Sequence, residues 1–200
     1  QMCIRDRPHV KHDHVDFVLD SGKALRFHDP RRFGSILWVG EDAANSKLLK
    51  NLGPEPFDET LTAVALYRVS RGRKTSIKQF IMDGRVIVGV GNIYASEALF
   101  RAKIRPGRAA GRVTLSRFGQ LLDAIRQVLS EAIKAGGTTL RDYSRVTGEP
   151  GYFEQSLDMY ERAGQPCVNC ATVIRRKVIG QRASYSVSYT HLTLPTSYAV

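Results

Sequence analysis

Apolar residues fall at helical spacing most strongly over residues 115–135. Phe118, Leu121, Leu122, Ile125, Val128, Leu129, Ala132 and Ile133 form one stripe, Thr114 stands where a cap belongs, and Gly136-Gly137 ends the pattern. At ~1.5 Å per residue this helix is roughly 30 Å long, the spine of a small helical domain. Shorter helices are predicted over 61–70, over 75–83 with Ile77, Phe80 and Ile81 on one face, and near Leu48, Leu49 and Leu52, where Gly53-Pro54 stops the pattern. A different period governs the N-terminal part. Val15, Phe17 and Leu19 alternate with polar residues, a turn at Asp20-Ser21-Gly22-Lys23 follows, and Leu25 and Phe27 resume the alternation. That predicts a β-hairpin, with 36–39 as one further strand. So little sheet is not stable alone, and it reads as the end of a larger β domain. Between 157 and 185 two short strands are predicted around Cys167-Val168-Asn169-Cys170.

The helix over 75–83 runs into V-G-V-G-N-I-Y-A-S-E (88–97). Gly89 and Gly91 free the backbone for a tight, left-handed path. Asn92 stands at the expected N-cap, and Ala95, Ala98, Leu99 and Ala102 repeat at helical spacing behind it. Such a start presents unbonded N–H groups and a positive dipole end, which suits a phosphate. A helix hairpin whose glycines only permit close packing fits the same spacing.

Composition favours the phosphate. Lys plus Arg number 30 against 19 Asp plus Glu, a formal net charge of +11, and so basic a chain usually meets a polyanion. No stretch is long and apolar enough to be a membrane span, and neither a basic amphipathic helix nor a secretory signal stands out. The expectation is a cytoplasmic protein without a membrane partner. Of the 3 cysteines only Cys167 and Cys170 lie close together, which is half a metal site rather than a disulfide framework. Residues 136–153 form a long polar, glycine-containing stretch of the kind that functional loops use. Residues 1–7 and 186–200 fit no neighbouring pattern, and both are expected to lie outside the domains.

K-H-D-H-V-D-F (11–17), D-P-R-R-F-G (29–34), L-G-P-E-P (52–56), I-K-Q-F-I-M-D (77–83), V-G-V-G-N-I-Y-A-S-E (88–97), G-G-T-T-L-R-D-Y (136–143), G-E-P-G-Y-F (148–153) and Q-R-A (181–183) occur in this order. Together they resemble the formamidopyrimidine-DNA glycosylase family, bacterial base-excision enzymes that remove oxidised purines such as 8-oxoguanine and formamidopyrimidines and cleave the resulting abasic site. The resemblance covers residues 9–185. It implies an α+β fold: 8–41 as the end of a β-sandwich domain, 42–155 as a helix–two-turn–helix DNA-binding domain, and 156–185 as a β-hairpin zinc-finger remnant. Duplex DNA with oxidised bases or abasic sites is the implied partner, for a monomer in the bacterial cytoplasm associated with the nucleoid. The oxidised-pyrimidine branch of the superfamily is the nearer alternative, but the loops at 29–34 and 136–153 look like the purine branch. A non-catalytic helix–two-turn–helix module is the other, and a pure phosphate binder needs neither the loop at 29–34 nor the half finger at Cys167 and Cys170.

The resemblance also assigns roles. Lys78, Asn92 and Arg182 match positions that hold DNA phosphates. Phe33 matches a wedge that enters the base stack beside an extruded nucleotide, with Arg31 and Arg32 beside it and Arg32 bonded to the orphaned partner base. Thr138, Thr139 and Tyr143 match the loop that closes over the flipped lesion. Two departures stand out. The family's nucleophile is an N-terminal proline followed by glutamate, whereas Pro8 is internal and precedes His9, so the expectation is a truncated chain with no catalytic residue of its own, inactive as it stands. Nothing in the sequence marks a lysine as buried, and the lysines are expected to be largely protonated unless desolvated. The family's zinc finger has a second C-x-x-C, and Val187 and Thr190 stand in those places. Cys167 and Cys170 alone cannot complete the four ligands of a structural Zn2+ site.

Overall fold

Helix α4, Leu115–Lys134, is the element around which the chain is organised. The Thr114 side chain accepts the N–H of Arg117, and Gly136 and Gly137, both at positive φ, end the helix. Its inner face buries Phe118, Leu121, Leu122, Ala124, Ile125, Val128, Leu129 and Ala132. Ile133, expected on this stripe, is instead 67% exposed; the helix has turned past its partners by its last turn. Helices α1 (Ala63–Ser70), α2 (Ile77–Ile81) and α3 (Asn92–Arg101) complete the helical unit. Tyr67 of α1 and Phe80 of α2 meet the Phe118 ring edge-on. This computed structural model describes residues 2–5 (backbone), 8–42, 46–137 and 157–187.

The remaining elements are two small antiparallel sheets. Strands β1 (Met2–Arg5), β2 (Asp13–Val18) and β3 (Ala24–His28) pair in the order β1-β3-β2. Segment 1–7, set outside the domains by its sequence, thus has Met2–Arg5 in the sheet, through backbone bonds that need no side-chain pattern. Strands β4 (Arg175–Ile179) and β5 (Arg182–Ser186) form a hairpin. Its two turn residues, Gly180 and Gln181, have φ of 55° and 62°, the left-handed pair a tight hairpin turn requires. Both strands follow the cysteine turn rather than flank it; before it there is only an isolated bridge from Pro166 to Val173.

Three further expectations are corrected. Residues 36–39 form no strand: they pair with no ladder among the described residues, and Trp38 is 96% exposed. Residues 46–52 form hydrogen-bonded turns, not a helix, with Leu48, Leu49 and Leu52 outside the buried core. Gly53 is needed there for close approach: its N–H donates to Gly84 O at 2.8 Å, and a Cβ would lie 2.8 Å from the carbonyl oxygens of Arg85 and Val86. At the glycine-rich turn only Gly89 is left-handed (φ 85°), and Gly91, not Asn92, occupies the cap position of α3.

Residues 157–187 carry their own small core of Met159, Cys167, Ile174 and Tyr185. What fastens this module to α3 is Glu97. Its side chain is fully buried, with Oε2 accepting the N–H of Asp158 at 3.0 Å and Oε1 those of Met159 and Tyr160 at 3.0 and 2.8 Å. Burial raises this carboxyl above its ordinary value, against the opposing pull of the three N–H groups. Removing the acceptor strands three buried donors, each costing about 1–3 kcal/mol. We predict that Glu97→Ala lowers the urea-unfolding free energy by about 3 kcal/mol or more and speeds amide exchange at 158–160. Glu97→Gln, which keeps one acceptor oxygen, should cost about 1–3 kcal/mol. Unchanged exchange at 158–160 in the alanine variant would refute the anchoring.

Candidate nucleic-acid interface

The α2–α3 turn, the start of α3 and the β4–β5 hairpin come together on one side of the helical unit. Asn92, the first residue of α3, points its amide at Tyr160, with Nδ2 3.4 Å from the tyrosine oxygen. Tyr160 in turn meets Tyr185 of β5 edge-on, centroids 5.1 Å apart. The Oδ1 of Asn92 is buried and accepts no hydrogen bond. An amide has near-equal shape about its two ends, so in the exchanged orientation Oδ1 accepts from Tyr160 O–H and Nδ2 takes the buried position. The positive dipole end of α3 beside it suits an anionic oxygen.

Lys78 lies deeper than its sequence position suggests. It is 1% exposed, and Nζ donates to Ala183 O at 2.7 Å and Ser184 Oγ at 2.9 Å. Its amine therefore grips β5 from beneath, a burial that nothing in the sequence marks. Arg182, immediately before Ala183, is exposed with Arg175, Arg176 and Lys177 of the same hairpin. At the hairpin tip, a Cβ on Gly180 would sit 2.5 Å from Gln79 Nε2, so α2 also sets the turn's height. Lys78 and Arg182 are thus adjacent through β5, but only Arg182 faces solvent.

Arg31, Arg32 and Phe33 lie on a separate element, the loop after β3. All three are exposed, Phe33 at 89%, and Arg32 holds a φ of 55°. Thr138, Thr139 and Tyr143 lie outside the described residues. Cys167 is buried, its Sγ accepting the N–H of Asn169 at 3.4 Å, and Cys170 is half-buried. Val187, at a place where the family has a ligand, packs against the same apolar cluster as the two thiols. Among the described residues no group of three or more His, Cys, Asp or Glu is arranged to hold a metal. The described residues therefore do not complete a four-ligand zinc site.

Tyr160 and Glu97 were not singled out from sequence. Neither has a spacing signal: Tyr160 stands in an irregular segment, and Glu97 reads as an ordinary polar position of an amphipathic helix. Among the described residues no helix is long and apolar enough to cross a membrane.

Desolvation pushes Lys78 down to about 8 from its ordinary 10.5. Between those values the unfolded chain holds a proton that the folded chain does not, so folding stability rises with pH across that window. We predict that the stability difference between wild type and Lys78→Met grows in favour of wild type from pH 8 to about 10.5, by on the order of 3 kcal/mol. Denaturant unfolding of both proteins across that range checks it; a flat difference would show that the amine keeps its proton.

Two family models match this chain: the formamidopyrimidine-DNA glycosylase H2TH domain over residues 52–144 and the formamidopyrimidine-DNA glycosylase N-terminal domain over residues 1–36. The formamidopyrimidine-DNA glycosylase of Syntrophotalea carbinolica is 58% identical over 180 residues, covering 90% of this chain and 66% of that protein. The chain thus spans just under two thirds of that relative's length. The crystal structure of the MutM (Fpg) protein from Thermus thermophilus superposes with a TM-score of 0.80 at 36% identity, covering 92% of this chain and 70% of that one. Lactococcus lactis Fpg in complex with abasic-site DNA gives 0.82 at 29% identity, covering 93% and 68%. With the motifs, the helix–turn–helix geometry and these relatives in agreement, the chain belongs to the formamidopyrimidine-DNA glycosylase family.

Proposed function

We propose that this chain supplies the DNA-gripping part of a base-excision glycosylase and abasic-site lyase acting on oxidised purines in duplex DNA. The observation that carries the reading is the start of α3. There the Asn92 amide, the Tyr160 hydroxyl and a basic hairpin meet beside the positive dipole end of the helix. Phosphate oxygens accept from such donors, and Arg182 adds a bidentate charged one. Solved relatives include Lactococcus lactis Fpg bound to DNA containing an abasic site or Fapy-dG, which supports the same partner here.

In this reading the loop at 29–34 does the unstacking. An aromatic ring 89% exposed on a basic loop is costly in water but fills the gap that an extruded base leaves. Stacking of Phe33 offsets the few kcal/mol of unpairing, while Arg32 satisfies the widowed base. Thr138, Thr139 and Tyr143 are assigned to the extruded base. Lys78 is assigned to holding β5 and not to attack at C1′, because its amine is buried and already donates twice.

Two outcomes follow. Duplex affinity should fall with salt; with about four phosphates neutralised, the slope of log K against log salt is about −3.6, and anisotropy titrations that show no salt dependence would overturn the phosphate assignment. Phe33→Ala should weaken binding to an abasic-site duplex roughly tenfold more than to undamaged duplex. Equal losses on both would instead mark Phe33 as a general contact.

A further inference from the structure

The K-H-D-H motif (11–14) has no role in the reading above, yet it lies beneath the wedge loop. Strand β2 carries a bulge there: Asp13 pairs with His28 and Val15 with Phe27, leaving His14 as the extra residue. The bulge turns the His14 ring aside, and its Nε2 lies 3.0 Å from Asp29 O. A carbonyl only accepts, so Nε2 carries the proton. On the other side, His12, itself left-handed at φ 77°, accepts the Asp29 N–H through its carbonyl at 3.0 Å. Asp13 Oδ1 takes the His28 Nδ1 proton at 2.7 Å. Both backbone groups of Asp29 are therefore fixed by the motif.

The Asp29 side chain is buried and turns up into the loop. Its Oδ2 accepts the Gly34 N–H at 2.6 Å. That bond, followed by the N–H groups of Arg31, Arg32 and Phe33, holds the carboxylate below its ordinary value. The loop closes on Gly34, where a Cβ would lie 2.6 Å from Phe27 Cζ and 2.9 Å from Asp29 Oδ2. One carboxylate thus gathers the loop's backbone, and the sterically open Gly34 lets it close. With the amides turned inward, the side chains of Arg32 and Phe33 have only the outward direction.

We propose that Asp29, held by the K-H-D-H motif, is the positioning residue of the wedge: it pre-organises the 31–34 loop so that Phe33 and Arg32 are presented to DNA before any base leaves the stack. This rests on the wedge reading of Phe33. Pre-organisation removes the ordering cost of the loop from the bound state only, and a loop used only at an unstacked site bears only on that site. Loss of Asp29 should therefore lower discrimination for damaged DNA rather than duplex affinity in general.

The test uses the 200-residue chain and two fluorescein-labelled duplexes, one undamaged and one carrying a tetrahydrofuran abasic analogue with 2-aminopurine as the facing base. Wild type, Phe33→Ala, Asp29→Ala, Asp29→Asn and Gly34→Ala are compared. For Asp29→Ala the ratio of the two dissociation constants should fall on the order of tenfold, towards that of Phe33→Ala. Its 2-aminopurine signal should move with the ratio, and affinity for the undamaged duplex should stay within about twofold. Asp29→Asn, which keeps one acceptor oxygen, should lie between. Gly34→Ala keeps the carboxylate but obstructs the closure, and should reproduce the loss even if Asp29→Ala unfolds. Wild-type discrimination retained in both Asp29→Ala and Gly34→Ala overturns the proposal, as does an equal weakening on both duplexes. If wild type itself does not discriminate and matches Phe33→Ala, the wedge reading falls first and takes the proposal with it.

Discussion

The proposed DNA-facing side of this protein depends on two buried charges that do not face each other. Lys78 of α2 and Glu97 of α3 stand on either side of the Gly89 turn, and each spends its charge on backbone groups of the C-terminal module. A buried charge without a counter-ion is tolerated only where dipoles are aimed at it. Here a carbonyl and a hydroxyl serve the amine, and three successive N–H groups serve the carboxylate. Such bonds are directional in a way that apolar contact is not, so the module has one way to dock. The separation of Arg182 and Tyr160 from the start of α3 is thereby set by the helical unit. This matters in a hairpin whose described residues do not complete a zinc site.

The two halves of the chain are stabilised differently. The helical unit has an apolar interior around Phe118. Among the described residues of the sheet no apolar side chain is buried: Val18 is 79% exposed, while Arg26 and Asp29 are buried. What orders that sheet is polar. Arg26 meets Asp16 through two parallel bonds of 2.7 Å, and Asp13 receives His28. A loop mounted on such a network is fixed by hydrogen-bond geometry, which explains how an exposed aromatic can be held in place without a packed apolar bed beneath it.

How much of this the sequence disclosed follows from which interactions were local. Helix α4 was legible because its stripe, cap and terminating glycines all act within the helix. The glycine-rich turn was legible for the same reason, and its match to a known family carried the partner and the wedge. Asn92 was misplaced by one position because cap and first helical residue share a composition, and Gly91 took the cap without a side chain. The segment 36–39 has the alternation of a strand, but strand formation needs a neighbouring edge, which alternation cannot supply. Lys78, Glu97 and Asp29 were the least legible. Each acts across a long separation or through backbone groups, and a charged residue at a helical or loop position looks the same whether solvated or buried.

Local inconsistency also has a pattern here. Asn92 leaves a buried oxygen unsatisfied, Lys78 is a charge under a hairpin, and Arg32 holds a left-handed φ without being glycine. Each is unfavourable in the isolated protein, by on the order of 1–3 kcal/mol. In the helical spine, by contrast, propensity, capping and packing agree. A chain that satisfies its own rules in the scaffold and breaks them in and beside its proposed DNA contacts follows the pattern expected of a functional surface. Lys78 fixes the hairpin that carries Arg182, and the turn at Arg32 presents the proposed wedge.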